Sequence, residues 1–164
     1  MKIFLIGMPG SGKSTLGEQV AKTLHVSLID LDKVIEEQAG KSIPEIFTEK
    51  GESEFRKLES ALLQTQADQH DNFVMSTGGG APCFHNGMEI INAKGISIFL
   101  NVSLKELLLR NEKQAHRPLL QGDANEKLRT LYAMRLPVYE QANHIISGDN
   151  ISEDDILRVL NVKM

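Results

Sequence analysis

Residues 3–14 read Ile3-Phe4-Leu5-Ile6-Gly7-Met8-Pro9-Gly10-Ser11-Gly12-Lys13-Ser14. An apolar run passes straight into a glycine-rich loop, and Gly7 to Ser14 fits the pattern G-x-x-x-x-G-K-[ST]. The run Ile3 to Ile6 predicts a buried strand. Lys13 to Leu24, with Leu16, Val20 and Leu24 at four-residue spacing, predicts a helix. Strand, loop and helix in that order are what a phosphate-binding loop requires. Its glycines let consecutive backbone N–H groups curl around phosphate oxygens, and the helix N-terminus adds positive potential. Lys13 would then reach the outer phosphates, and the Ser14 hydroxyl would ligate Mg²⁺.

Outward from this segment, short apolar runs alternate with helical patterns. Val26 to Ile29, Phe73 to Met75, Ile96 to Leu100 and His144 to Ile146 read as further strands with little polar alternation, as in a parallel sheet covered on both faces. Ser42-Ile43-Pro44-Glu45 reads as a capping box with proline near a helix start. Glu52 to Ala67 predicts a long helix with Phe55, Leu58 and Leu62 on its buried stripe. Leu104 to Arg110, Ala124 to Arg135 and Ser152 to Leu160 predict the remaining helices. The alternation implies one doubly wound α/β domain over residues 1–164, whose ligands sit beyond the carboxyl ends of the strands.

The chain of 164 residues carries a net charge of −4, so no global basic field draws it to nucleic acid or an anionic membrane. Its single cysteine, Cys83, allows no internal disulfide, which suits a reducing cytoplasm. The first apolar run is too short for a signal peptide, and nothing approaches a membrane span. A monomer is expected.

The strand Phe73-Val74-Met75 runs into Ser76-Thr77 rather than the metal-binding aspartate common at such a strand end. Asp30-Leu31-Asp32 offers the nearest carboxylates. In an extended strand end both would point towards the site, one to hold a metal-bound water and one to accept a hydroxyl proton; alternatively Asp32 caps a helix starting near Lys33. Ser76-Thr77-Gly78-Gly79-Gly80 permits close backbone approach to a ligand, or is a flexible turn. Arg56, with Glu52 and Glu59 a helical turn away, reads alone as an exposed ion pair. Arg135, just before Pro137, reads alone as a partner of a helix C-terminus. Arg117-Pro118 lies in the polar stretch 111–123, where a kinase would carry a mobile lid.

These elements together resemble the shikimate kinases over nearly the full length. The resemblance rests on Gly7 to Thr15, Asp30-x-Asp32, Phe55-Arg56-x-x-Glu59, Ser76 to Gly80, Arg117-Pro118-Leu119 and Arg135-x-x-x-Tyr139-x-x-Ala142. It implies a P-loop kinase of the nucleoside-monophosphate-kinase type, with a five-stranded parallel sheet, acceptor-binding helices at about residues 31–62 and the lid at about 111–123. It implies ATP and shikimate as substrates and Mg²⁺ as cofactor. Gly10, Ser11, Gly12, Lys13, Ser14 and Thr15 would hold the phosphates. Ser14 and Asp30 would hold the metal, and Asp32 would engage the acceptor hydroxyls as base. Arg56 and Arg135 would grip the shikimate carboxylate before Gly78, Gly79 and Gly80. Arg117 would close onto the phosphates, and Arg110 would lie against adenine.

The sequence departs from that family where an arginine often follows the last strand: Ser147-Gly148-Asp149-Asn150 supplies no cation there. The rivals are a nucleoside monophosphate kinase, another small-metabolite kinase such as a gluconate kinase, and a nucleotide-binding regulator without catalysis. The first would carry Asp-Gly-Phe-Pro-Arg after its third strand, and the last would have lost Asp32 or the acceptor arginines.

Overall fold

The structure is a computed structural model that describes residues 1–115 and 121–162. Five parallel strands form one sheet in the order β2-β3-β1-β4-β5. They are β1 Lys2–Ile6, β2 Ser27–Asp30, β3 Phe73–Ser76, β4 Ile96–Asn101 and β5 His144–Ser147. The helices are α1 Lys13–Leu24, α2 Leu31–Ala39, α3 Ile43–Gln69, α4 Gly87–Lys94, α5 Leu104–Ala115, α6 Gln121–Tyr139 and α7 Glu153–Val159. No described helix is long and apolar enough to cross a membrane.

The sheet separates two apolar layers. Ile3, Leu5, Val74, Ile98 and Leu100 pack against α1 and α7 through Leu16, Val20, Ile156 and Leu157. Phe4, Ile6, Phe73, Met75 and Phe99 face the other helices. Side chains alternate across a strand, so the apolar runs Ile3 to Ile6, Phe73 to Met75 and Ile98 to Leu100 feed both layers. The outer strands differ from the expected continuous burial. Leu28 of β2 and Ile145 of β5 are exposed, because an edge strand is covered incompletely.

Several helix boundaries correct the sequence reading. Ser42 caps α3 by accepting the Glu45 N–H, but the reciprocal bond of a full box is absent among the described residues. That helix runs from Ile43 to Gln69 and breaks at Gly51, whose φ of 80° and ψ of 168° suit glycine almost alone, so its second part starts near Glu52 as expected. Its buried stripe beyond the break is Phe55, Arg56, Glu59, Leu63 and Ala67; Leu58 and Leu62 are only partly buried. Helix α6 continues through Pro137 to Tyr139 instead of stopping near Arg135. Helix α4 has no side-chain cap at Asn86 and no strong start signal in the sequence. The full capping box lies at Ser152 and Asp155, opening α7.

Candidate active site

The phosphate loop hangs between the end of β1, the central strand, and α1. Gly12 stands at the N-cap with φ of 95°, and no acidic residue occupies the first turn of α1, so its positive pole is left unneutralised. Lys13 is buried, and its ammonium donates to the Gly7 and Met8 carbonyls at 2.8 and 2.9 Å. Loss of water pushes that ammonium down to about 8, against the pull of the nearby Asp32 carboxylate. The buried Ser11 hydroxyl has no partner among the described residues, which fits a loop waiting for an anion.

Asp30 and Asp32 do not share an extended segment as expected. β2 ends at Asp30, and α2 begins at Leu31. Asp30, not Asp32, caps the helix by accepting the Lys33 N–H at 3.3 Å. Its other oxygen accepts from the Ser14 hydroxyl at 3.3 Å, and Ser14 lies 3.2 Å from Ser76 Oγ. Ser76 thus stands where the sequence lacked an aspartate. Asp32, in the first turn of α2, faces the glycine triplet. Partial burial and then the Asp30 carboxylate raise its carboxyl above the ordinary range.

The triplet is packed on every side. A Cβ at Gly78 would stand 2.9 Å from both Asp32 Oδ1 and Glu59 Oε2; one at Gly79 would stand 2.9 Å from Arg135 Nη1. One at Gly80 would overlap the Arg56 guanidinium. Asp32 from α2, Arg56 and Glu59 from α3, and Arg135 from α6 therefore converge on this one turn. Arg56 is buried, not an exposed ion-pair partner. It donates to Glu59 at 2.8 Å and to Glu52 at 3.4 Å, and the Phe84 ring lies 4.3 Å from its guanidinium carbon. Burial raises the Glu59 carboxyl, while Arg56 holds it down. In the sequence Glu59 is legible as the i+3 neighbour of Arg56 and as the last residue of Phe55-Arg56-x-x-Glu59.

Two clefts meet at the loop. One of about 450 Å³ is lined by Lys13, Ser14, Asp32, Ser76, Thr77 and Gly79. The other, of about 1030 Å³, runs past Thr15, Gln19, Lys22, Arg110, Ile151 and Asp154. Arg110 lines the larger. It donates to the Gly10 carbonyl at 2.9 Å, the Asp149 carbonyl at 2.6 Å and Glu106 at 3.1 Å. Thus a cation from α5 reaches the loop after β5, where the sequence supplied none. Among the predicted site residues, only Arg117, with its neighbour His116, lies outside the described residues.

A chain with this loop, paired carboxylates and two inward arginines can place two anionic ligands side by side, and comparison with known proteins gives the same picture. The sequence model described as Shikimate kinase matches residues 9–162. A shikimate kinase of Bacteroides thetaiotaomicron is 44% identical over 159 residues, covering 93% of this chain and 90% of that protein. One from Clostridium botulinum is 42% identical over 153 residues, covering 92% and 89%. The crystal structure of shikimate kinase from Bacteroides thetaiotaomicron superposes with a TM-score of 0.89 at 38% identity, covering 99% of this chain and 97% of that one. The enzyme from Acinetobacter baumannii, solved in complex with shikimate, gives 0.86 at 32% identity, covering 99% and 94%. This chain belongs to the shikimate kinase family, and its reaction is the ATP-dependent phosphorylation of shikimate.

Proposed function

We propose that the chain transfers the γ-phosphoryl group of ATP to the 3-hydroxyl of shikimate, with the two clefts dividing the substrates. The nucleoside enters the larger cleft beside Arg110, and its phosphates lie on Gly10 to Thr15. There they replace the Gly7 and Met8 carbonyls as partners of Lys13. Shikimate takes the smaller cleft. Its carboxylate pairs with Arg56 and Arg135, whose planar forks suit two oxygens, and its ring lies against Gly78 to Gly80.

The reaction needs positioning and charge neutralisation rather than covalent help. Asp32 accepts the hydroxyl proton, a task favoured by its raised affinity for protons. Lys13 faces the charge that develops on the transferred group. Ser14, Asp30 and Ser76 offer a hard oxygen set within 3.3 Å, which fits a magnesium ion that keeps several waters. When bound, that ion neutralises phosphate charge. Arg117, which the sequence places between α5 and α6, adds a further cation to the phosphates. We assign the protein to the cytoplasm and its working form to a monomer.

The observation that carries this reading is the convergence of Asp32, Arg56 and Arg135 on the glycine triplet beside Lys13. The shikimate bound by the Acinetobacter baumannii relative supports the acceptor. An ADP-release assay with shikimate, AMP and gluconate as alternative acceptors tests it. Turnover with shikimate alone is expected, and preference for AMP or gluconate would overturn it.

A further inference from the structure

The glycine triplet has an asymmetry in its hydrogen bonding. The Gly78 carbonyl accepts from the Ala81 N–H at 3.1 Å, and the Gly80 carbonyl accepts from the Cys83 N–H at 2.9 Å. The Gly79 carbonyl accepts from the Tyr139 hydroxyl at 2.5 Å. Every carbonyl of the triplet is therefore spent inside the protein. Among the described residues none of the three N–H groups donates to the chain, although Gly78 and Gly80 are buried. Buried backbone donors find partners, so these are set aside for a ligand.

A trans peptide is planar, with its C=O and the following N–H pointing in opposite directions. Fixing the Gly79 carbonyl therefore fixes the Gly80 N–H on the far side. Glycine peptides flip at little steric cost, so this aim needs a tether. Tyr139 is built as one. It is 1% exposed, its ring lies 5.1 Å from that of Phe99, and its oxygen lies 3.9 Å from Met8 Sδ. Burial holds its phenol well above the ordinary range, so the hydroxyl stays a donor throughout the working pH. One turn earlier on α6, Arg135 sets Nη1 against Gly79.

We propose that Tyr139 is a positioning residue for the acceptor: its hydroxyl pins the Gly79 carbonyl towards the core and so aims the Gly80 N–H at bound shikimate. The inference rests on the shikimate reading above. It makes the end of α6 a two-part device, with Arg135 touching the substrate and Tyr139 acting through the backbone.

Tyr139→Phe keeps the ring and removes the tether. The KM for shikimate should rise about tenfold, as for loss of one aimed hydrogen bond, while kcat and the KM for ATP stay within about twofold. In the native protein, the Gly80 amide proton should shift downfield in NMR spectra on adding shikimate, and should not on adding ADP. In Tyr139→Phe the same resonance should broaden before shikimate is added, as a released peptide exchanges between orientations. A folded Tyr139→Phe with an unchanged KM for shikimate would overturn the proposal, as would a parallel rise in both KM values, the mark of a general packing loss. Should the variant not fold, the native titration decides: a Gly80 amide blind to shikimate overturns it. Absence of shikimate turnover by the native chain would instead defeat the functional reading itself.

Discussion

Lys13 sits on two carbonyls that a phosphate would replace. Lys13→Ala should lower turnover by at least about a hundredfold, the scale for removing a key electrostatic donor, with little change in unfolding temperature. Near-normal turnover would reject the phosphate-loop assignment. The same lysine sets a pH dependence. Its folded value, about 8, lies below the unfolded 10.5. The free protein therefore sheds this proton first, and its stability rises with pH between those two values. Bound phosphates favour the charged form, so ADP affinity should fall as pH rises past about 8. Calorimetry across that range measures it, and a flat profile would contradict the burial argument. Asp32 gives the opposite limb. Because its carboxyl is raised, kcat/KM should decline on acidification at a pH above the usual carboxylate range of about 3.9, and Asp32→Asn should remove that limb together with most of the turnover. The reactive residues were legible in the sequence because each lies in a short motif with fixed spacing. Their partners were not: Ser76 meets Ser14, and Tyr139 meets Gly79, only after the strands and α6 come together.

Helix α3 shows what local pattern can and cannot give. Ser42 and Pro44 announce its start, and Gly51 interrupts it with a backbone that other residues avoid. Residues 43–50 carry the start signals and Glu52 to Ala67 the periodic stripe, so the sequence shows the two parts but not their joining across Gly51. Past the break the buried stripe is shifted by a residue, because Arg56 and Glu59 take the inner face as an ion pair, a choice no hydrophobic count anticipates. A Cβ at Gly51 would meet nothing within 4 Å, so Gly51→Ala isolates the backbone term. The substitution should cost about 1–3 kcal/mol of stability. Denaturant unfolding would show it, and a neutral result would mean that the break relaxes into continuous helix. Pro137 misled in the other direction: its ring removes one N–H, yet the last turn of α6 continues and delivers Tyr139 to the core.

Across the whole molecule, the five strands and their parallel arrangement followed from alternation alone. The strand order did not, since it depends on which helix covers which face. The two clefts share the phosphate loop and the start of α1, but beyond it they draw on different elements, α5 and α7 for one and α2, α3 and α6 for the other. The sites should therefore fail independently. Arg56→Lys and Arg135→Lys keep the charge but lose the fork, and each should weaken shikimate binding about tenfold or more with ADP binding nearly unchanged. Calorimetry with each ligand checks this. Loss of ADP affinity with shikimate affinity intact would assign these arginines to the nucleotide.

The central position of β1 has a consequence during synthesis. Of the five strands it leaves the ribosome first, yet both of its neighbours come much later: Lys2 pairs with Phe73, and Ile3 with Ile96. At about 5–20 residues per second, Ile3, Phe4, Leu5 and Ile6 remain without a sheet for several seconds. During that interval the most apolar strand of the protein is a candidate for chaperone capture or for pairing with a second nascent chain. Slow codons between α3 and β3 would lengthen the exposure, and slow codons after β4 would not. The yield of soluble protein should therefore respond to translation speed in the first part of the message more than in the last.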